Sequence, residues 1–272
     1  MSVDDSIRSA AKYLAECGVE SPRVDAELLM AKVLGIRRDA LVARGLAMLD
    51  EPPQLTFNRW IARRGEGREP LAYILGSWEF YGIDFKVTPS VLIPRPETEA
   101  LVERALELIG SRELRVVDIG TGSGAIAVAI AAHSTAKVTA TDLSPRALEI
   151  AKENAGGRPI EFREGDLLGP LLGLEFDLVC ANPPYVSDAD YAGLAPELHH
   201  EPRVALACGD GFPVLRKLAA GVRAILAAEG RVLVEIGAGQ AGTAKELFYT
   251  AGFSSVVFHK DLAGIDRVLE AS

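Results

Sequence analysis

Cysteine is scarce in this chain. There are three, Cys17, Cys180 and Cys208, odd in number and far apart. Their spacing offers neither a disulfide framework nor a set of metal ligands, and suggests reduced thiols in a cytosolic protein. Long apolar runs are missing too. The longest uncharged one, Ala125 to Ala132, falls far short of the roughly 20 residues that a bilayer span needs. The opening MSVDDSIRSAAKYLAE carries acids and no apolar signal core, so neither export nor membrane insertion is expected. Positive charge is in short supply, with 29 Lys and Arg against 38 Asp and Glu and a net charge of −9. That balance argues against a general nucleic-acid binder, which needs a positive footprint. Internal repeats and low-complexity segments are absent. What remains is 272 residues with 49% hydrophobic and 25% charged content, a globular composition long enough for one large domain or two ordinary ones.

Charge and pattern divide the chain unevenly. Residues 1–90 hold 12 basic and 13 acidic side chains, and residues 91–272 hold 17 and 25. Over residues 1–75 apolar side chains recur at helical spacing, as in Ile7, Ala10, Ala11 and Leu14, which predicts a bundle of four or five short helices. Ser21-Pro22 reads as a helix start and Gly18 and Gly35 as stops. Residues 76–90 turn aromatic and β-branched around Gly82, which predicts a hairpin serving as linker. From residue 91 strands and helices alternate: strands at 115–119, 137–142, 160–164, 177–181 and 231–236, and helices at 99–109, 125–133, 144–154, 215–228 and 241–249. Alternation of this kind predicts an α/β, mostly parallel, doubly wound Rossmann-like sheet. The last two β-rich runs, 255–259 and 267–269, are too close for a crossover and should pair antiparallel.

Asp118-Ile-Gly120-Thr121-Gly122-Ser123-Gly124 follows the first of these strands and opens a helix. Such a loop lets backbone approach a ligand closely. Asp142 ends the next strand, where an acid can accept from both hydroxyls of a ribose. An adenosine-containing ligand is expected, although Gly120, Gly122 and Ala125 also satisfy the dinucleotide fingerprint. Asp118 tilts the choice: a carboxylate at the loop mouth would repel a pyrophosphate and suit a sulfonium with an amino-acid tail. S-adenosylmethionine is therefore favoured over NAD. Asp166-Leu167, after the third strand, is placed to meet adenine; a turn acid is the plainer reading of Asp166.

Asn182-Pro183-Pro184-Tyr185 directly follows the strand 177–181, at the carboxyl end of the sheet where open α/β folds bind ligands. Two consecutive prolines fix two φ angles and remove two N–H donors. Carbonyls and the Asn182 amide oxygen remain as a rigid acceptor cluster beside the flat Tyr185 ring, which suits a planar –NH2 group. Aiming both N–H bonds at fixed acceptors favours pyramidalisation and turns the nitrogen lone pair toward an electrophilic methyl. Asn182, Pro183 and Tyr185 are the expected catalytic residues, and no strong base is needed because the proton is lost easily after methylation.

These motifs resemble the class I S-adenosylmethionine methyltransferases that modify planar nitrogens. More closely, the chain is similar to the HemK/PrmC family of protein-(glutamine-N5) methyltransferases. The likeness runs through Arg68–Gly76, Trp78–Gly82, Leu92–Glu99 (LIPRPETE), Glu235-Ile-Gly and Asp261–Arg267 (DLAGIDR). It implies that Asp118 and Gly120 to Gly124 line the methionine part of the cofactor, with Asn182 alongside. Asp142 would hold the ribose, Asp166-Leu167 the adenine, and Asn182 to Tyr185 the substrate amide. The implied reaction methylates the glutamine of the Gly-Gly-Gln loop of peptide chain release factors, leaving S-adenosylhomocysteine. The helical N-terminal part would contact the release factor in a cytoplasmic, monomeric enzyme with no metal, no membrane and no direct nucleic acid partner. Family members often carry an aromatic residue where this chain has Leu167. Two alternatives share the catalytic motifs, glutamine methylation of a large-subunit ribosomal protein and adenine methylation of nucleic acid. A third is a non-catalytic binding module that keeps the fold.

Other residues carry less. Arg59, Arg63, Arg64 and Arg68 follow helical spacing, with Glu66 the one acid between Leu55 and Arg68. They read as a solvated face or as a docking stripe for an acidic partner surface. His199-His200 lacks a third ligand at metal spacing and reads as surface. The cysteines read as bystanders, and Arg95 and Glu97 as either caps or covers of the site.

Overall fold

The first helices form because apolar side chains repeat along one face. Helix α1 (Val3–Glu16) buries Val3, Ile7, Ala10 and Leu14, and the Ser2 hydroxyl caps it by accepting from Asp5 N. Helix α2 (Pro22–Leu34) starts at the expected proline and stops at Gly35, whose φ of 63° is left-handed. Ser21 makes no side-chain cap bond there, so proline alone sets that start. Short α3 (Leu41–Arg44), α4 (Glu51–Gly65) and α5 (Leu71–Leu75) complete the set. The computed structural model describes Met1–Ser272 throughout and divides into two units. The first comprises Met1–Gly76 together with Ala195–His200.

The arginine stripe is not a solvated face, which corrects one expectation. Arg64 is buried, with Nε on Asp25 (2.7 Å) and a second nitrogen on Glu197 (2.8 Å). Arg68 reaches the same Glu197 carboxylate at 2.7 Å, and Arg63 pairs with Glu69. A buried guanidinium needs such partners because stripping its water is costly. Arg59 alone of the four stands exposed.

The second unit comprises Ser77–Leu194 and Glu201–Ser272. It opens with the antiparallel hairpin β1 (Ser77–Phe80) and β2 (Ile83–Lys86). Its two turn residues, Tyr81 and Gly82, both have positive φ, the geometry that matches the twist of a two-residue hairpin. Phe80 and Phe85 are fully buried against α6 (Glu99–Ile109) and α7 (Ala125–His133), so the hairpin is part of this unit's core. The main sheet holds β3 (Arg115–Ile119), β4 (Lys137–Asp142), β5 (Ile160–Glu164), β6 (Phe176–Ala181), β7 (Leu226–Glu235), β8 (Val256–Lys260) and β9 (Asp266–Ala271). Their spatial order is β5-β4-β3-β6-β7-β9-β8. The first five run parallel; β9 is antiparallel to both β7 and β8.

Alternation sorts the strand side chains onto two faces. Val116, Val138, Leu178, Cys180 and Leu233 pack toward α6 and α7. Val117, Ile119, Val179, Val232 and Val234 pack toward α11 (Pro213–Gly221) and α12 (Ala241–Thr250). Three further helices are α8 (Pro145–Ala155), capped by the Ser144 hydroxyl, and the one-turn α9 (Asp188–Tyr191) and α10 (Arg203–Leu206). Of the helix expected over 215–228, α11 reaches Gly221 and a 3-10 turn continues over Val222–Ile225, but β7 begins at Leu226, where that residue pairs with Phe176 of β6. A sheet partner overrides the helical pattern of those alanines and leucines.

Candidate active site

The carboxyl ends of β3, β4 and β6 frame a cavity of about 230 Å³. On one side the loop after β3 turns into α7. Gly122 has φ 56°, a conformation that resists a side chain, and its N–H donates to Asp142 Oδ2 at 2.8 Å. Gly124 has φ 85°, and a Cβ there would in addition crowd Ala151 on α8 at 3.2 Å. Asn154, also on α8, fastens this loop from behind. Its amide donates to the Ser123 carbonyl at 2.8 Å and to the Lys86 carbonyl of the hairpin at 3.0 Å.

Asp118 and Asp142 turn out to have different surroundings. Asp142 lines the cavity, and each of its oxygens accepts one backbone amide, Ser144 N on Oδ1 and Gly122 N on Oδ2. Burial pushes its pKa up and these amides oppose the shift. One lone pair on each oxygen remains for a further donor. Asp118 does not stand at the loop mouth. It is fully buried beneath the loop, where Oδ2 accepts from the Thr121 hydroxyl (2.6 Å) and Ala127 N (3.2 Å) while Oδ1 has no partner. Burial raises its pKa to about 7. The electrostatic argument for a cationic ligand thus loses its carboxylate at the mouth; Asp118 ties the loop to the start of α7 instead.

Of the residues picked out in sequence, the structure brings Gly120, Gly122, Asp142, Asp166, Leu167, Asn182, Pro183 and Pro184 around the cavity. Thr121, Ser123 and Gly124 form the loop without lining the cavity, and Tyr185 does not line it either. Leu167 holds φ 46°, a left-handed backbone that costs a non-glycine residue about 1 kcal/mol. A methyl donor of the adenosyl-methionine type fits this set. A Cβ built on Gly120 or Gly122 would meet no atom within 4 Å, so backbone there is approachable, and the Asp142 carboxylate lines the same cavity.

The second half of the site hangs on β6. Asn182 Nδ2 donates to Thr98 Oγ1 at 3.2 Å, and that hydroxyl donates to Glu235 Oε2 at 2.6 Å. The Tyr185 hydroxyl points at Glu235 Oε1, at 3.4 Å. No protein group donates to Asn182 Oδ1. Burial and the nearby Glu235 push the Tyr185 phenol up to about 12, so it stays protonated and cannot serve as a base. Gln240 holds the Tyr185 carbonyl at 2.9 Å, and the Cys208 thiol reaches the Pro184 carbonyl at 3.2 Å. Cys208 is therefore engaged with the loop and not a bystander. Gly237 leaves room for the Tyr185 ring, since a Cβ there would lie 3.1 Å from it. Glu201 pairs with Arg95 and accepts from Ile93 N at 2.9 Å, which anchors the segment leading to Thr98.

Asn154 and Gln240 were missed in the sequence because they act across long separations, and Cys208 was read as a bystander. Thr98 and Glu235 were noticed only as parts of a resemblance.

Comparisons with known proteins agree with this architecture. Residues 5–76 match the family model described as the PrmC N-terminal domain, and residues 97–228 match the methyltransferase small domain. A protein of Geobacter sulfurreducens is 43% identical over 94% of this chain and 92% of its own length. One of Deinococcus radiodurans is 41% identical over 100% and 98%. Both are named release factor glutamine methyltransferase. Among solved structures, a methyltransferase from Pyrococcus furiosus shares the fold with a TM-score of 0.52 at 19% identity, over 80% of this chain and 94% of that one. The hMettl16 catalytic domain gives 0.59 at 16%, over 85% and 84%. The cofactor is S-adenosylmethionine. With both of its parts matched and close relatives aligned over almost its whole length, the chain belongs to the release factor glutamine methyltransferases.

Proposed function

We propose that this enzyme transfers a methyl group from S-adenosylmethionine to the side-chain amide nitrogen of the glutamine in the Gly-Gly-Gln motif of peptide chain release factors. The names of its relatives support the substrate. The observation that carries the chemistry is the acceptor set at the end of β6: Asn182 Oδ1, which no protein donor occupies, beside the carbonyl of a proline whose φ is fixed.

In this reading Gly120 and Gly122 present backbone to the methionine part of the cofactor, over a loop that Asp118, Thr121, Ser123 and Gly124 shape. Asp142 accepts from the ribose hydroxyls, and Asp166 and Leu167 flank the adenine. The cofactor supplies, when bound, a methyl group made electrophilic by its sulfonium. Asn182 Oδ1 and the Pro183 carbonyl take the two N–H bonds of the substrate amide and hold its nitrogen in one orientation. Their dipoles also stabilise the positive charge that grows on that nitrogen. Pro184 stiffens the loop, and Tyr185, which lies outside the cavity lining, supports it through its hydroxyl on Glu235 and its carbonyl on Gln240. No general base is needed.

The release factor itself is proposed to dock on the first unit. With Arg63, Arg64 and Arg68 paired internally, charge is a poor candidate for that contact. A groove of about 980 Å³ is a better one: Ile7, Leu41, Val42 and Leu46 line it, the last two 89% and 94% exposed, together with the ion pairs Arg23–Glu27, Arg38–Glu27 and Arg37–Asp39. Exposed large apolar side chains grouped in this way favour a protein partner. No helix is long and apolar enough to cross a membrane; the proposal has the enzyme working in the cytosol as a monomer, without nucleic acid. The test is mass spectrometry of a release factor incubated with enzyme and isotopically labelled cofactor. One methyl on the Gly-Gly-Gln glutamine is the expected result. An unmodified release factor, with transfer to a ribosomal protein or to adenine, would overturn the substrate. Leu46→Asp should raise KM for the release factor and leave kcat alone; an unchanged KM removes the groove.

A further inference from the structure

We propose that Glu235 is a positioning residue that sets the polarity of the Asn182 amide, with Thr98 as the relay between them. The inference rests on the reading that Asn182 holds the substrate amide. A primary amide has two nearly isosteric ends, one donating and one accepting, and shape alone does not choose between them. Here the choice is made 137 residues away from the relay hydroxyl. An ionised Glu235 can only accept, so the Thr98 hydroxyl must donate its one proton to it. Thr98 Oγ1 then has only lone pairs for Asn182, which must turn Nδ2 toward it and leave Oδ1 facing the cavity. Thr98 is 4% exposed and Glu235 1% exposed, so solvent is not at hand to scramble the order.

Protonation reverses the chain. A neutral Glu235 can donate to Thr98 Oγ1, Thr98 can donate to Asn182 Oδ1, and Nδ2 then faces the substrate –NH2, donor against donor. Several groups bear on that equilibrium. Arg267 on β9 favours the anion, and Tyr185 also donates to it. Glu97 opposes it, and burial is the largest influence of all, raising the carboxyl to about 7. Arg267 is itself held by Asp261 at 3.2 Å and by the Ile236 carbonyl.

The test compares pH profiles of methyl transfer to a release factor for the parent, Thr98→Val, Thr98→Ser and Glu235→Gln. Cofactor affinity is measured alongside by calorimetry. The parent should lose kcat/KM as pH falls below neutrality, because the substrate amide has no ionisation of its own in that range. Thr98→Val should lose activity on the order of a hundredfold, as a misaimed contact does, and its acid limb should vanish. Thr98→Ser should restore both rate and limb, which a merely structural role would not predict. Glu235→Gln should be slow and flat with pH, because a neutral amide enforces neither polarity. Cofactor affinity should hold in all three. Turnover of Thr98→Val near the parent's, or an acid limb that survives in Glu235→Gln, overturns the inference. An active Asn182→Ala would instead overturn the amide-holding reading beneath it, so the two failures are told apart. Should Thr98→Val not fold, the Glu235→Gln profile against the parent decides.

Discussion

The two halves of the site are built differently. Around the glycine loop the carboxylates meet mainly backbone amides within about 20 residues, Ser144 and Gly122 on Asp142 and Ala127 on Asp118, with the Thr121 hydroxyl added on Asp118. Around Asn182 they are satisfied by side chains far apart in sequence, Thr98, Glu235 and Tyr185. Backbone partners are fixed once the strand–helix turn forms. Side-chain partners depend on the whole sheet being assembled, because β7 must be in place beside β6 before Glu235 can meet Thr98. The first half therefore holds a common ligand part robustly, while the second is tunable.

Four experiments sharpen or break this contrast. Asn182→Ala should abolish turnover, by on the order of a thousandfold, with cofactor binding largely retained in a calorimetric titration. Comparable loss of cofactor affinity would mean that the halves are not separate. Glu235→Gln should change the pH dependence of stability. A carboxyl whose pKa folding raises from 4.5 to about 7 binds more protons folded than unfolded over that window. The parent thus loses stability as pH rises from 4.5 to about 7, by about 3 kcal/mol, and the melting temperature of the variant should gain on it over the same range. A constant gap would show that Glu235 ionises at its ordinary value. Asp142→Ala should weaken cofactor binding by about 2 kcal/mol while the release factor still binds; unaltered affinity would take the ribose away from Asp142. Leu167→Phe should tighten the cofactor by about 0.5–1 kcal/mol through stacking, and weakened binding would place the adenine elsewhere.

The same contrast explains what the sequence disclosed. Strand–helix alternation, the glycine loop, Asp142 and Asn182-Pro183-Pro184-Tyr185 are local patterns, and the sheet emerged from them with its antiparallel final strands. The side on which Asp118 faces was misjudged. Its place on a strand was legible, but alternation puts it on the α7 face with Val116, under the loop. The arginine stripe misled for a related reason. Helical spacing shows that four cations share a neighbourhood, yet Asp25 and Glu197, which neutralise part of it, lie 39 and 133 residues from Arg64. Thr98 is a single small polar residue in a proline-rich segment, and nothing near it in the chain reveals its partner. The end of the helix begun at 213 was obscured because the strand that replaces it is specified by Phe176 on another element.

Glu197 also bears on the order in which the chain can assemble. The first unit draws its last six residues, Ala195–His200, from well beyond Gly76. During synthesis its helices emerge long before the carboxylate that joins Arg64 and Arg68 does. Until then Arg68 lacks its acidic partner and Arg64 has only Asp25. The first unit must therefore wait for more than a hundred residues of a different unit before its charges are balanced. A fragment cut after Gly76 is expected to be a less stable object than the same residues within the full chain.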